Sequence, residues 1–168
     1  HTAPVWSVAY SPDSTRIITG VDTGAVVVWN ASTMEEVMTL SGHTRAVTSV
    51  AYSPDSTRII TGGDDKNVVV WDATTMQKLQ VRFVNSSSVA CAPNSTCVIT
   101  GCGTNDAVAA VVWDVATMQK LETLCGDTTT IVACAPNAMR IITRGVSAGE
   151  ERKAIEGKYV VKRLRKRR

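Results

Sequence analysis

The chain has 168 residues, 44% hydrophobic and 20% charged, with a formal net charge of +3. That is one domain with enough apolar material for a core, which excludes wholesale disorder. No window nears eighteen uninterrupted apolar residues and no basic-then-apolar leader opens the chain, so neither a membrane span nor a secretory signal is expected.

In chain order, the first predicted element is SVAY at 7–10, which alternates small polar and apolar residues as a strand does. SPDST at 11–15 is a turn, because proline presets φ and the aspartate can bond back to nearby amides. RIIT at 16–19 is β-branched and apolar, the mark of a strand buried on both faces. Gly with Asp or Asn makes the next turn, and VVVW at 26–29 is a third strand. SVAYSPDSTRIITG, first seen at 7–20, then returns unchanged at 49–62. It is followed by GGDDKN, by VVVW at 68–71 and by MQKLQ at 76–80, read as a partly exposed fourth strand. A degraded third copy, SVACAPNSTCVITG, occupies 88–101, and TMQKL recurs at 117–121. A fourth copy, IVACAPNAMRIITR at 131–144, is followed by a charged insertion and a predicted strand over 158–164.

Trp29, Trp71 and Trp113 are 42 residues apart, twice in succession. No segment places apolar residues at helical spacing over three turns. Four short strands per period of about 42 residues is the signature of a propeller blade. The expected organisation is four blades, at about 1–40, 41–82, 83–124 and 125–162, with a basic tail at 163–168.

Gly42-His43, followed 28 residues later by Trp71-Asp72, resembles the WD-repeat β-propeller family. His1 stands at the same distance before Trp29, with Asn30 in place of the aspartate. The resemblance implies an all-β fold, a β-propeller of four-stranded antiparallel blades. Three to four blades are expected, forming an open arc that is a fragment or half of a larger ring. It also implies a hydrogen-bonded set in each blade, which in the second repeat falls on His43, Thr61, Asp65 and Trp71. Such groups are buried cheaply only when each bonds another, so the set is expected to stabilise its blade by about 1–3 kcal/mol. Partial sets fall on His1, Thr19 and Trp29, and on Thr100 and Trp113. Thr23 stands where the turn aspartate belongs, with Asp22 one residue early. Repeat four has Lys162 and Arg163 in place of Trp-Asp, so stability should decline away from repeat two.

The inventory does not support an enzyme. Both histidines occupy structural positions, Asp13 and Asp55 sit in equivalent turns, Ser7 and Ser49 lack a base partner, and no catalytic motif is present. Five cysteines without C-x-x-C or nearby histidines support neither a metal site nor a disulfide framework. Cys91 and Cys134 recur in VACAP and read as small buried hydrophobes, and no cofactor is expected. The remaining reading is a non-catalytic protein–protein interaction scaffold. Its candidate contacts are Pro4, Arg45, Ala46 and Asp64, which lie beside the pinned set where the scaffold fixes direction.

The charge is uneven: the last eleven residues, KYVVKRLRKRR, hold seven Lys or Arg and no acid, and the rest is mildly acidic. The alternative reading is therefore an RNA- or ribosome-associated component anchored through Lys162, Arg163, Arg165, Lys166, Arg167 and Arg168. The one ring nearby is Tyr159, so base stacking is not offered. Expected partners are other proteins, including a homodimer (two copies giving eight blades) or an assembly with further blades, and no membrane. Three N-x-S/T matches without a leader do not support secretion, and a cytoplasmic setting is expected, with a nuclear one as the other option. A first residue other than Met leads us to expect a fragment, a processed product or an incomplete frame.

Overall fold

The computed structural model describes residues 1–84, 88–91, 97–101, 108–125, 129–134, 140–145 and 160–163, with 108–110 and everything after 121 described as backbone alone. The described residues form strands and turns. The first sheet contains β1 (Val5–Tyr10), β2 (Arg16–Val21), β3 (Ala25–Asn30) and β4 (Glu36–Ser41). The second contains β5 (Val47–Tyr52), β6 (Arg58–Gly63), β7 (Asn67–Asp72) and β8 (Lys78–Phe83). The third contains β9 (Ser88–Cys91), β10 (Cys97–Gly101), β11 (Val108–Asp114) and β12 (Lys120–Cys125). These three are antiparallel meanders in sequence order. The fourth has β13 (Thr129–Cys134), β14 (Arg140–Gly145) and β15 (Val160–Arg163).

Identical sequence gives identical turns. In the first SPDST, Asp13 accepts from the Ser11 hydroxyl at 2.6 Å and from the Thr15 amide at 3.0 Å. In the second, Asp55 accepts from Ser53 and Thr57 at the same two distances. The turn also places Ser14 and Ser56 in the left-handed region, both at φ 60°. The residue after each tryptophan builds another repeated turn. Asp72 Oδ1 accepts from the amides of Thr74 and Thr75 at 2.9 and 2.8 Å, and Asn30 does the same for Ser32 and Thr33 at 2.8 and 3.0 Å. The second oxygen of Asp72 accepts from the Arg58 guanidinium at 3.0 Å. The acid of Trp-Asp therefore serves the outer turn and not the buried set.

Two predicted strands are corrected. MQKLQ does not begin a strand: Met76 lies in the turn at φ 60°, its amide bonded to the Asp72 carbonyl, and β8 starts at Lys78. Of the strand expected over 158–164 the described residues are β15, 160–163, and it runs parallel to β14, not antiparallel within a four-stranded blade. A parallel pair needs a crossover of a dozen or more residues, and the charged insertion supplies that length.

Consecutive isoleucines of RIIT face opposite sides of their sheet. Ile59 joins Val69 and Trp71 of blade two in a core with Ile18, Val26, Val28 and Leu40 of blade one. Ile60 joins Val68 and Val70 in a second core with Val89, Val98 and Met118 of blade three. The inner strands sit side by side, β1 against β5, β5 against β9 and β9 against β13. The arc is open: the face of β1 turned away from blade two is exposed.

Candidate functional site

The second blade assembles its buried set from four segments. Trp71 on β7 donates its indole N–H to Thr61 Oγ1 on β6 at 3.1 Å, and His43 Nε2 lies 2.8 Å from the same oxygen. His43 Nδ1 reaches both Asp65 oxygens, at 3.0 and 3.1 Å. The carboxylate requires the proton on Nδ1, which leaves Nε2 of the neutral ring to accept from the Thr61 hydroxyl. Donation thus runs one way, from tryptophan through threonine and histidine to the carboxylate. Burial pushes the Asp65 carboxyl up, but bonds from His43 and from the amides of Thr44 and Asn67 outweigh it and hold its pKa below the usual 3.8. Glycines make the room: a Cβ at Gly42 would lie 2.6 Å from the Trp71 ring, and one at Gly63 would lie 2.7 Å from His43 Nδ1.

The other blades keep less of this. In blade one Thr19 Oγ1 is 2.9 Å from His1 Nε2 and accepts from the Trp29 indole at 3.0 Å, and the His1 and Trp29 rings meet edge to face at 4.7 Å. Asp22 bonds elsewhere, accepting the Trp6 indole N–H at 2.9 Å. In blade three Trp113 donates to Thr100 at 3.0 Å.

The family model for the WD domain, G-beta repeat, matches residues 1–30 and 34–72. Residues 1–72 thus carry WD repeats. Among solved structures, one of the mitotic checkpoint complex has a TM-score of 0.75 at 24% identity, covering 86% of this chain and 49% of that one. The WD40 repeats of RRP9 give 0.72 at 20%, covering 80% and 43%. Kuenenia stuttgartiensis hydrazine synthase gives 0.78 at 16%, covering 90% and 45%. The chain thus spans less than half the length of each of these, and at such identities the likeness is one of fold. No curated protein matches by sequence. A shared fold that reaches from a checkpoint assembly to a synthase carries no single activity.

Within this WD-repeat frame the contact candidates lie on the loop face that holds the buried set. Arg45 and Asp64 are exposed, and the Asp64 amide is fixed to the Ala46 carbonyl at 2.9 Å. Ala46 itself is half-buried. Pro4 is exposed, and its carbonyl anchors the Asp22 amide at 3.0 Å. Three residues missed by the sequence reading join this face. Trp6 is exposed beside Asp22, Lys66 is exposed at the tip of the Asp64–Asp65 turn, and the exposed Phe83 pairs with Asn67 at the foot of that turn. Trp6 could have been found as the one tryptophan outside the 42-residue period, and Phe83 as the one phenylalanine of the chain.

At the opposite ends of the blades a cavity of about 250 Å³ opens between blades one and two, with Ser11, Asp13, Arg16, Tyr52 and Thr74 in its wall. Burial pushes the Tyr52 hydroxyl up to about 12, so it stays protonated and is no base. Among the described residues, no three His, Cys, Asp or Glu side chains cluster as a metal site requires, and no helix is long and apolar enough to cross a membrane. Lys162 and Arg163 fall on β15, while Arg165, Lys166, Arg167 and Arg168 lie outside the described residues.

Proposed function

We propose that the chain is a non-catalytic protein-interaction scaffold whose recognition face is formed by Pro4, Arg45, Ala46 and Asp64, extended by Trp6, Lys66 and Phe83. One observation carries this reading. The side chains able to do chemistry in blade two, His43 and Asp65, are consumed by each other with 0% and 5% of their area exposed, while their immediate neighbours point outward on fixed turns. An exposed tryptophan, arginine and phenylalanine on one rigid face is the composition of an interface anchor. WD repeats in general serve as non-catalytic scaffolds, which agrees with this reading, and a cytoplasmic setting goes with it. A photo-crosslinking residue placed at Asp64 should label a discrete partner in cell extract, and one placed at Asp13, at the far end of the blades, should not. Equal labelling from both positions would overturn the proposal.

The seven cationic residues of the last eleven support a second reading, electrostatic attachment to RNA. Retention on an RNA column should then weaken steeply with salt and disappear when residues 163–168 are removed. Unchanged retention at low salt ends that reading.

A further inference from the structure

Arg16 and Arg58 hold the same place in blades one and two, yet their surroundings differ. Each opens the second strand of its blade and pairs across the sheet with the residue after the tryptophan, Asn30 for Arg16 and Asp72 for Arg58. Arg58 donates to Asp72 Oδ2 at 3.0 Å. Asn30 carries no charge to offer in return, and among the described residues the Arg16 guanidinium has no hydrogen bond or ion pair. It stands instead in the wall of the cavity of about 250 Å³ between the two blades.

The same wall holds a second unpaired donor. Tyr52 is 8% exposed, and its hydroxyl oxygen is closed off from water without a hydrogen-bond partner. Burial raises its pKa to about 12, so the hydroxyl keeps its proton and donates. Of the two charges that act on it, Arg16 outweighs Asp13, which sets the hydroxyl in a net positive field. Asp13, the one acid of the wall, commits Oδ1 to its own turn, accepting from the Ser11 and Thr15 hydroxyls and the Thr15 amide. The next junction lacks both features, because Arg58 is already paired and Cys91 stands where Tyr52 does.

We propose that this cavity binds a small free monocarboxylic acid, whose carboxylate Arg16 and Tyr52 hold as Arg58 holds Asp72. One free cation matches one negative charge. The second charge of a phosphate would meet Asp13 with no further cation to balance it. The volume admits about eight non-hydrogen atoms at the roughly 30 Å³ that a water molecule occupies, which suits an acid of a few carbons. The site lies at the far end of the blades from the proposed recognition face, so the two readings stand or fall separately.

Propionate, with propionamide as its neutral isostere, tests this on the intact chain. In an NMR titration propionate should shift the Arg16 Nε–H and Tyr52 ring resonances saturably, and propionamide should not. Arg16→Gln should raise the Kd about tenfold or more, while Arg58→Gln, outside the cavity, should change it less than about twofold. Asn30→Asp is the decisive variant, because it gives Arg16 the internal carboxylate that Arg58 has, in a turn that blade two shows to accept it. It too should raise the Kd about tenfold or more. Tyr52→Phe should weaken binding about threefold or more, yet leave the melting temperature unchanged or higher, since the lost hydroxyl had no partner. Equal shifts from acid and amide, or a Kd that Arg16→Gln or Asn30→Asp leaves unaltered, overturn the proposal. So does tighter binding of inorganic phosphate, or of N-acetylglutamate amide as a stand-in for an acidic peptide, than of propionate.

Discussion

Thr61 is the hub of the blade-two set, because one hydroxyl serves both the Trp71 indole and the His43 ring. Thr61→Val keeps the shape and the β-branching but leaves a buried N–H and a buried imidazole nitrogen unpaired. Each such group costs about 1–3 kcal/mol, so a loss of about 2–4 kcal/mol is expected in urea unfolding. Thr100→Val in blade three orphans the Trp113 indole, and its loss should be about half as large. Equal losses would mean that the histidine adds nothing. Asp65 gives a pH signature for the same set. Its folded pKa is held below the ordinary 3.8, so the stability it confers is complete above that value and is lost as pH falls through the folded one. Asp65→Asn should therefore cost about 1–3 kcal/mol near neutrality. The gap to the unaltered protein should narrow as pH falls below 3.8 and through the lowered folded value, where the Asp65 side chain also becomes neutral. Asp13, Asp55 and Asp72, also held low by their turn bonds, titrate in both proteins and cancel. A gap independent of pH would place the role of Asp65 outside its charge.

At the scale of strands and turns, one position separates two equivalent turns. Gly24 and Lys66 are 42 residues apart and both left-handed, at φ 88° and 65°. Gly24 also carries the entry loop of blade two on its back, since a Cβ there would lie 2.7 Å from the His43 carbonyl and 3.0 Å from that of Arg45. Gly24→Ala meets both the backbone penalty and backbone atoms that cannot swing away, so it should cost more than about 1–2 kcal/mol. Lys66→Gly removes an L-residue from the same conformation and should be neutral or stabilising by up to about 1 kcal/mol. Calorimetric melting of the pair checks the sign. The contrast also marks what was legible in the sequence. The strands could be read from what recurs within one period, and the His43–Thr61–Asp65–Trp71 bonds from what the resemblance to WD repeats implies at those positions. The start of β8 could not, because Met76 looks like the first apolar residue of a strand while its left-handed turn is set by Asp72. The parallel β15 could not either, since sequence spacing shows that a crossover is long enough but not which way the strand returns. Trp6 and Phe83 escaped because periodicity finds what repeats, and these two residues do not.

For the whole molecule, the described packing sets an order of stability. Blade two is covered on both faces, by blade one through the core around Ile59 and Trp71 and by blade three through the core around Ile60 and Val70, and among the described residues it alone holds the four-membered set. Blade one has its partial set but one bare face, with Val8 and Tyr10 in water. In stacked repeats each unit contacts only its neighbours, so stability is roughly the sum of a unit's own terms and its interfaces, and a unit with one interface opens before a unit with two. Native-state hydrogen exchange should therefore rank the amides of β6 and β7 as the slowest, with β2 and β3 faster despite the RIITG and VVVW segments that the two blades share. Local sequence predicts equal protection for these strands, and position in the arc predicts unequal protection. If β2 and β3 exchange as slowly as β6 and β7, the bare face of blade one is covered in solution, and the order read from the isolated chain does not hold.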